Sequence, residues 1–418
     1  MGNPITINNR SFTRRESVWS FFLPIAILLV QYGYGLGNIM LTYCILYAGY
    51  CVVRYQEFPV FRPLSVYTLW YVFILLCTVL FGGHSANRVY MYHLIRILIS
   101  GYCVAIIAKH LDKESLYRCW KIVGLIVCAV VAYQFFQTFF LKQSVLPIRL
   151  LPVRSEDLLR NENWITLSNR PVAFFTEPAM VVAFLTPVLL FAQQKKEWLV
   201  TIIVSIAILL SGSTSGVIAL VVMWGISLVN YRTSNTYKFF MVLLLIVAVF
   251  AFLNLSYFSD SLEKFTFELS GESTNMNTRT WRGWWIYGVL DTRSKLFGIS
   301  DYNVASYVYK YAGEFTWQTG YEENFYLNTA QRILIQTGIV GAVLYTWMLI
   351  KLWISTNKAV RPYLAVVIIS MFFASNFYMH GMFIMQFIVL LSYLKRYEVA
   401  SDVDEKVKKQ KQYVQEIH

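Results

Sequence analysis

The sequence predicts an all-α polytopic membrane protein with about twelve transmembrane helices and two extended extracytoplasmic loops. Three observations predict it. Of its 418 residues, 57% are hydrophobic and 14% charged, against roughly 45–50% and about 25% in soluble domains. The apolar residues fall in repeated blocks of roughly 20, the length that crosses a bilayer. Basic residues collect in alternate loops between those blocks. Such a composition excludes an ordinary soluble enzyme and a disordered chain. The net charge of +13 does not point to nucleic acid, because Lys and Arg of membrane proteins anchor cytoplasmic loops against anionic lipid.

The apolar blocks lie at 19–35, 38–53, 64–82, 89–108, 120–141, 172–192, 198–211, 213–230, 239–255, 333–353, 363–378 and 382–394. Each must be helical, since lipid offers no partner to a backbone amide. Arg10, Arg14 and Arg15 precede the first block, and Arg54 and Arg62 follow the second. Lys109, Lys113, Arg118 and Lys121 follow the fourth, Lys195 and Lys196 the sixth, and Arg232 and Lys238 the eighth. Lys351, Lys358 and Arg361 follow the tenth, and Lys395 and Arg396 the last. The intervening short loops carry only Arg88. This alternation predicts an even number of spans with both termini cytoplasmic.

The chain therefore divides into helices one to five (1–141), a first outer loop (142–171), helices six to nine (172–255), a large outer loop (256–329), helices ten to twelve (330–396) and a charged cytoplasmic tail (397–418), of which 402–418 is read as a frayed helix. The N-terminus lacks the short apolar core of a cleaved signal, so the first span is expected to be retained. The six cysteines lie in or beside apolar blocks of the first third, with no CxxC or Cys/His cluster, so neither a disulfide framework nor a zinc site is expected.

Both long loops break the charge rule. They carry Arg149, Arg154, Arg160, Arg170, Arg279, Arg282 and Arg293 on the outer side. Loops of this length are usually functional, and Arg is the side chain suited to bidentate contact with phosphate or carboxylate. Arg279 and Arg282 in NTRTWRGWWIYG share a face if helical, with Trp281 interleaved to stack on a sugar or sit at headgroup level. Arg170 stands at the mouth of the sixth block, and Glu177 is expected about two turns inside it, next to a helix-weakening Pro178. A carboxylate in that position needs a partner or a wet cavity. Arg96, three residues after His93 within the fourth block, is the natural partner. The competing reading is an ion pair that serves assembly alone. Glu322, Glu323 and Asn324 immediately precede the tenth block, where acidic side chains also suit a helix start.

These segments, in order, resemble the Wzy-type O-antigen and capsule polymerases of the O-antigen polymerase/ligase superfamily. Arg170 with FFTEPAM is similar to the family's Arg followed by Phe-x-Glu-Pro-Ser. LLSGSTSGVIAL is similar to its Gly-Ser turn between two helices. Arg279 and Arg282 with WRGWW and then LFGIS are similar to its Arg, Trp, Gly-x-Gly segment. ENFYLNTAQRILIQTGIVG is similar to its His-Asn-x-Tyr-Leu segment with two following glycines. Ala179 replaces the usual Ser, no Arg follows the Ser of LSGSTSG, and Glu323 stands where ligases and many polymerases have His. The last departure weighs against a ligase.

The resemblance implies a fold like that of the GT-C-like glycosyltransferases that use lipid-linked donors. It implies a polymerase of the bacterial cytoplasmic membrane. A growing glycan would pass from undecaprenyl pyrophosphate to a sugar hydroxyl of the next lipid-linked repeat unit on the outer face. Glu323, Arg282 and Arg279 would be catalytic, while Arg170, Glu177, Arg96, Asn324 and Trp281 would bind pyrophosphate or sugar. No cofactor, metal or nucleic acid is implied. The partners are lipid-linked oligosaccharide and membrane lipid, with a chain-length regulator and a flippase as further partners the resemblance allows. The alternatives are an O-antigen-ligase-type transferase and a polysaccharide flippase or transporter. The residue chemistry fits the first reading independently. Arg side chains stabilise a departing pyrophosphate, and a carboxylate deprotonates the attacking hydroxyl. Glu322 and Glu177 are alternatives to Glu323 for that role.

Overall fold

A computed structural model describes residues 14–30, 32–34, 37–81, 88–151, 170–229, 282–300, 327–373, 381–394 and 398–399, with isolated positions between 235 and 304. These residues are overwhelmingly helical. The first helices are α1 (Arg14–Leu28), α2 (Ile39–Tyr55), α3 (Arg62–Phe81), α4 (Arg88–Leu98), α5 (Val104–Lys109) and α6 (Lys113–Phe139). There follow α7 (Pro178–Lys195), α8 (Trp198–Leu210), α9 (Thr214–Val229), α10 (Arg282–Val289), α11 (Thr292–Phe297), α12 (Thr329–Ser355), α13 (Arg361–Phe373) and α14 (Gly381–Leu391). Among the described residues, α3, α6, α7 and α12 are long and apolar enough to cross a membrane, and α2, α8 and α9 are shorter apolar helices. The expected ninth span, 239–255, lies outside the described residues except for isolated positions.

Two expectations are corrected. The fourth block is not one regular helix: α4 joins α5 through a π turn at Ile99–Cys103. Gly101 in that turn lies against Thr68 of α3, where an added Cβ would stand 2.3 Å from the hydroxyl oxygen. The sixth block begins six residues late, because residues 172–177 are irregular and Pro178 opens α7 at its first turn. Proline is favoured there, since its missing N–H is one a helix start leaves unbonded anyway. Glu398–Val399 pairs antiparallel with Pro59–Val60, and the frayed helix expected over 402–418 lies outside the described residues.

That pairing is one of several that gather the basic loops at one end of the bundle. Lys109 pairs with Glu57 at 2.6 Å and Lys121 with Glu197 at 3.1 Å, and Lys195 meets Glu114. Asn357 donates its N–H to the Tyr393 carbonyl at 3.2 Å, and the Tyr393 hydroxyl donates to Gln194 Oε1 at 2.6 Å. Loops that the sequence assigns to one side of a membrane thus meet on one side of the structure.

Asp112 ties this end to the N-terminal helix. It caps α6 by accepting from the N–H groups of Glu114 and Ser115 at 3.1 and 3.3 Å. Its second oxygen accepts from the hydroxyls of Ser115 and Ser17 at 2.6 and 2.8 Å. Its own N–H donates to Ser20 Oγ at 2.9 Å, and Ser20 in turn meets the Tyr47 hydroxyl at 2.8 Å. Burial works to raise the carboxyl's pKa, but the hydroxyl and N–H donors outweigh it and hold the pKa below the usual Asp value. A depressed folded-state pKa means stability that is present at neutral pH and lost as pH falls through that pKa. Asp112→Ala should therefore cost about 1 kcal/mol or more at neutral pH. Thermal unfolding in detergent should show this deficit shrinking as pH drops below the usual Asp range, whereas a pH-independent deficit would assign the effect to packing.

Candidate functional site

The first element of the site is the irregular stretch from Arg170 to Glu177. Residues 171–176 are buried although they form no helix or strand. Non-helical backbone can survive inside an apolar bundle only if the protein supplies its hydrogen bonds. Gln134 of α6 does so. Its Oε1 accepts from the N–H groups of Val172 and Ala173 at 2.9 and 2.7 Å, and its Nε2 donates to the Leu146 carbonyl at 3.0 Å. The Ala173 carbonyl accepts from the Ile148 N–H at 2.8 Å. Ala173 takes a positive φ of 51°, a conformation that a non-glycine residue holds only where its surroundings fix it.

This stretch delivers Arg170 to the Gly-Ser turn between α8 and α9. The Arg170 Nη1 donates to the Gly212 carbonyl at 3.2 Å. Gly212 has φ of 64°, which glycine adopts without steric cost. Ser211 and Ser213 flanking it are buried, and the Ser213 and Ser215 hydroxyls lie 2.8 Å apart. Two segments more than forty residues apart in sequence therefore form one junction, with a guanidinium beside hydroxyls and the start of α9.

Glu177 does not lie inside a span. It is the exposed residue preceding α7, in extended conformation, and its side chain makes no capping bond to the helix start. No ion pair joins it to Arg96, which sits part-buried in α4 together with His93. The expected pairing presupposed lipid depth for both groups. Glu177 is spared that cost because Pro178 starts the helix after it.

The second element joins the large loop to α12. Gly338, about two and a half turns into α12, has φ of 69° and interrupts the helix. Gly298, just after α11, has φ of 85°. The two glycines pack backbone against backbone. A Cβ on Gly338 would stand 2.2 Å from the Leu296 carbonyl oxygen, and one on Gly298 would stand 2.3 Å from that of Gln336. Ile299 N–H donates to the Ile335 carbonyl at 3.0 Å, which replaces an intrahelical bond lost at the break. Farther out, Gly283 of α10 lies against the side chain of Gln331, where a Cβ would come within 2.5 Å. Gln331 itself belongs to the capping box that Asn328 forms at the start of α12.

Arg282 is the first residue of α10, so the Arg-Trp segment is helical from there. Arg279, Trp281, Glu322, Glu323 and Asn324 lie outside the described residues. Arg293 is exposed on α11. The sequence reading missed Gln134, and it missed Trp70 and Tyr71 of α3, which bond to the broken part of α12 (Trp70 Nε1 to the Thr337 carbonyl, 3.0 Å; Tyr71 hydroxyl to Gln336 Oε1, 2.9 Å). A polar Gln within an apolar helix was the available signal for the first.

Fold and site together define a helical protein of membrane type in which the described loop segments 170–177 and 290–300 are bonded into the bundle. Comparison with known families sharpens this. Residues 199–346 match the family model described as O-antigen ligase, a match that supports the O-antigen polymerase/ligase superfamily. The match takes in the Gly-Ser turn, the Arg-Trp helix, Glu323 and the Gly298–Gly338 contact, and supports glycosyl transfer in O-antigen synthesis as the general function. No curated protein matches the chain.

Replacing Gln134 by Leu leaves two buried N–H groups without an acceptor, at about 1–3 kcal/mol each. The variant should lose at least about 2 kcal/mol of stability, read by thermal or denaturant unfolding in detergent. Unchanged stability would show that the 170–177 stretch does not depend on it.

Proposed function

We propose that the protein is a polysaccharide polymerase of the bacterial cytoplasmic membrane. In this reading it has about twelve spans, both termini cytoplasmic and a GT-C-like bundle. A growing glycan on undecaprenyl pyrophosphate is the donor, and a sugar hydroxyl of the next lipid-linked repeat unit is the acceptor. The observation that carries the reading is the combination of the family match with an Arg-bearing outer loop locked into α12 through Gly298 and Gly338. A loop fixed to the bundle can hold charges against a reacting phosphate without reorganising them.

In the reaction, the acceptor oxygen bonds to the anomeric carbon as the bond from that carbon to the pyrophosphate oxygen breaks. The hydroxyl proton goes to Glu323, and the electron pair leaves with the pyrophosphate, whose growing charge Arg279 and Arg282 stabilise. Arg170, Arg96, Glu177, Asn324 and Trp281 hold the pyrophosphate and sugars. The chemistry needs neither cofactor nor metal. A flippase and a chain-length regulator are the natural partners, since the one presents the substrate and the other limits the product.

Two other readings compete. Transfer to a different acceptor, as in a ligase, is favoured by the description of the matched family itself. Glu323 in place of the ligases' His weighs against it. A flippase would not need an Arg-Trp loop. Purified protein given lipid-linked repeat units should build a glycan ladder without nucleotide or ion gradient. Transfer only to a different acceptor would identify a ligase, and no transfer would favour a flippase.

Two substitutions test the roles. Glu323→Gln keeps size and hydrogen bonding but removes basicity, so extension should slow by about a hundredfold or more. A rate near that of the unmodified protein would end its role as base. Arg282→Lys keeps charge but loses the planar fork. Extension should fall by about tenfold or more, and normal turnover would contradict bidentate contact.

A further inference from the structure

We propose that Trp70 and Tyr71 of α3 are positioning residues for the reaction: they hold α12 broken at Gly338, and the break fixes where the α10–α11 arm, and with it Arg282, stands. The effect on turnover rests on the polymerase reading above; the effect on geometry does not.

A helix interrupted within an apolar bundle must find new partners for the carbonyls that the break releases. Here the partners are few and identifiable. The Ile335 carbonyl accepts from Ile299 of the arm. The Thr337 carbonyl accepts from the Trp70 indole N–H at 3.0 Å. The Gln336 side chain, one residue earlier, accepts from the Tyr71 hydroxyl at 2.9 Å. Tyr71 is fully buried, as is Thr337. The Trp70 ring also lies 5.9 Å from that of Phe297, the last residue of α11. Trp70 thus touches both halves of the lock, the break in α12 and the end of the arm that enters it.

Packing alone does not account for this. A phenylalanine would fill the same apolar space at position 71 and most of it at position 70, but it has neither the indole N–H that bonds to the Thr337 carbonyl nor the phenol O–H that bonds to Gln336. Gly341, one turn beyond, lets α3 come this close, since a Cβ there would stand 3.0 Å from Trp70 Nε1. Without these donors the buried Thr337 carbonyl loses its indole N–H and Gln336 loses its phenol O–H. The segment can recover a carbonyl partner only by closing toward regular helix, and regular helix has no room for Gly298. The arm is then released. Both residues lie outside the matched 199–346 segment, so a scaffold helix from the N-terminal part of the chain sets the geometry of the loop that carries the chemistry.

The test uses the full-length protein in nanodiscs, with spin-labelled unnatural amino acids at Thr292 of α11 and Val343 of α12, both exposed. Pulsed electron resonance reads the distance between them, and glycan extension is measured on the same samples. In Tyr71→Phe, which keeps its ring, and in Trp70→Phe, which stays aromatic but loses the indole N–H and some volume, the narrow distance distribution of the unmodified protein should broaden or shift. The kcat of extension should fall by about tenfold or more, as small misplacements of catalytic groups do, with KM changing far less. An unchanged distribution in both variants overturns the proposal, even if their melting temperatures fall, because lost stability alone is what a purely structural role predicts. If the distance responds but the unmodified protein extends no glycan, positioning stands and the polymerase reading fails. Should Trp70→Phe fold poorly, Tyr71→Phe alone decides.

Discussion

Hydrocarbon offers no hydrogen-bond partner, so every backbone group in a membrane-spanning bundle must be satisfied by the protein itself. Regular helices meet this demand locally. Among the described residues, two buried non-helical places draw their missing partners from a distant helix. Gln134 of α6 serves the stretch after Arg170, and Trp70 of α3 serves the break at Gly338. Both departures bring a loop segment into the bundle. One delivers a guanidinium to the Gly-Ser turn, and the other docks the arm that begins at Arg282. The functional geometry is built where the helical pattern is given up, and it survives there because side chains replace the lost backbone bonds.

Much of the helical framework was legible in the sequence, because length and apolarity alone identify a bilayer-length block. Its boundaries were less so. PVAFFTEP is as apolar as a span, and hydropathy cannot tell a buried loop from a helix. The informative residue was Pro178, read as a helix weakener when it is a helix starter. From that one error came the pairing of Glu177 with Arg96, since a carboxylate outside the helix carries no burial cost to be repaid. The side chains that hold the loops were not legible either. Gln134 and Trp70 act on backbone groups 38 and 267 residues away, and no local pattern announces such partners.

Glycines were more informative than charges. LSGSTSG, LFGIS and QTGIVG each drew notice as separate features, and in each a glycine takes a positive φ. A side chain is disfavoured there by backbone sterics alone, so these positions report conformation directly. Which glycines meet was not visible: Gly298 and Gly338 lock together across forty residues. The arginines carry the functional argument, but a side chain's charge in a sequence says nothing of where it points. For Arg170 the structure supplies that direction, toward the Gly212 carbonyl.

Amide hydrogen exchange tests the central claim most directly, because it reads the hydrogen bonds of the irregular segments themselves. In the folded protein the N–H groups of Val172, Ala173 and Ile299 should exchange as slowly as those of neighbouring helices, opening only through larger unfolding events. Exchange of these amides on the timescale of an exposed loop would contradict the account. It would mean that the two loop segments rest on the bundle without being bonded into it.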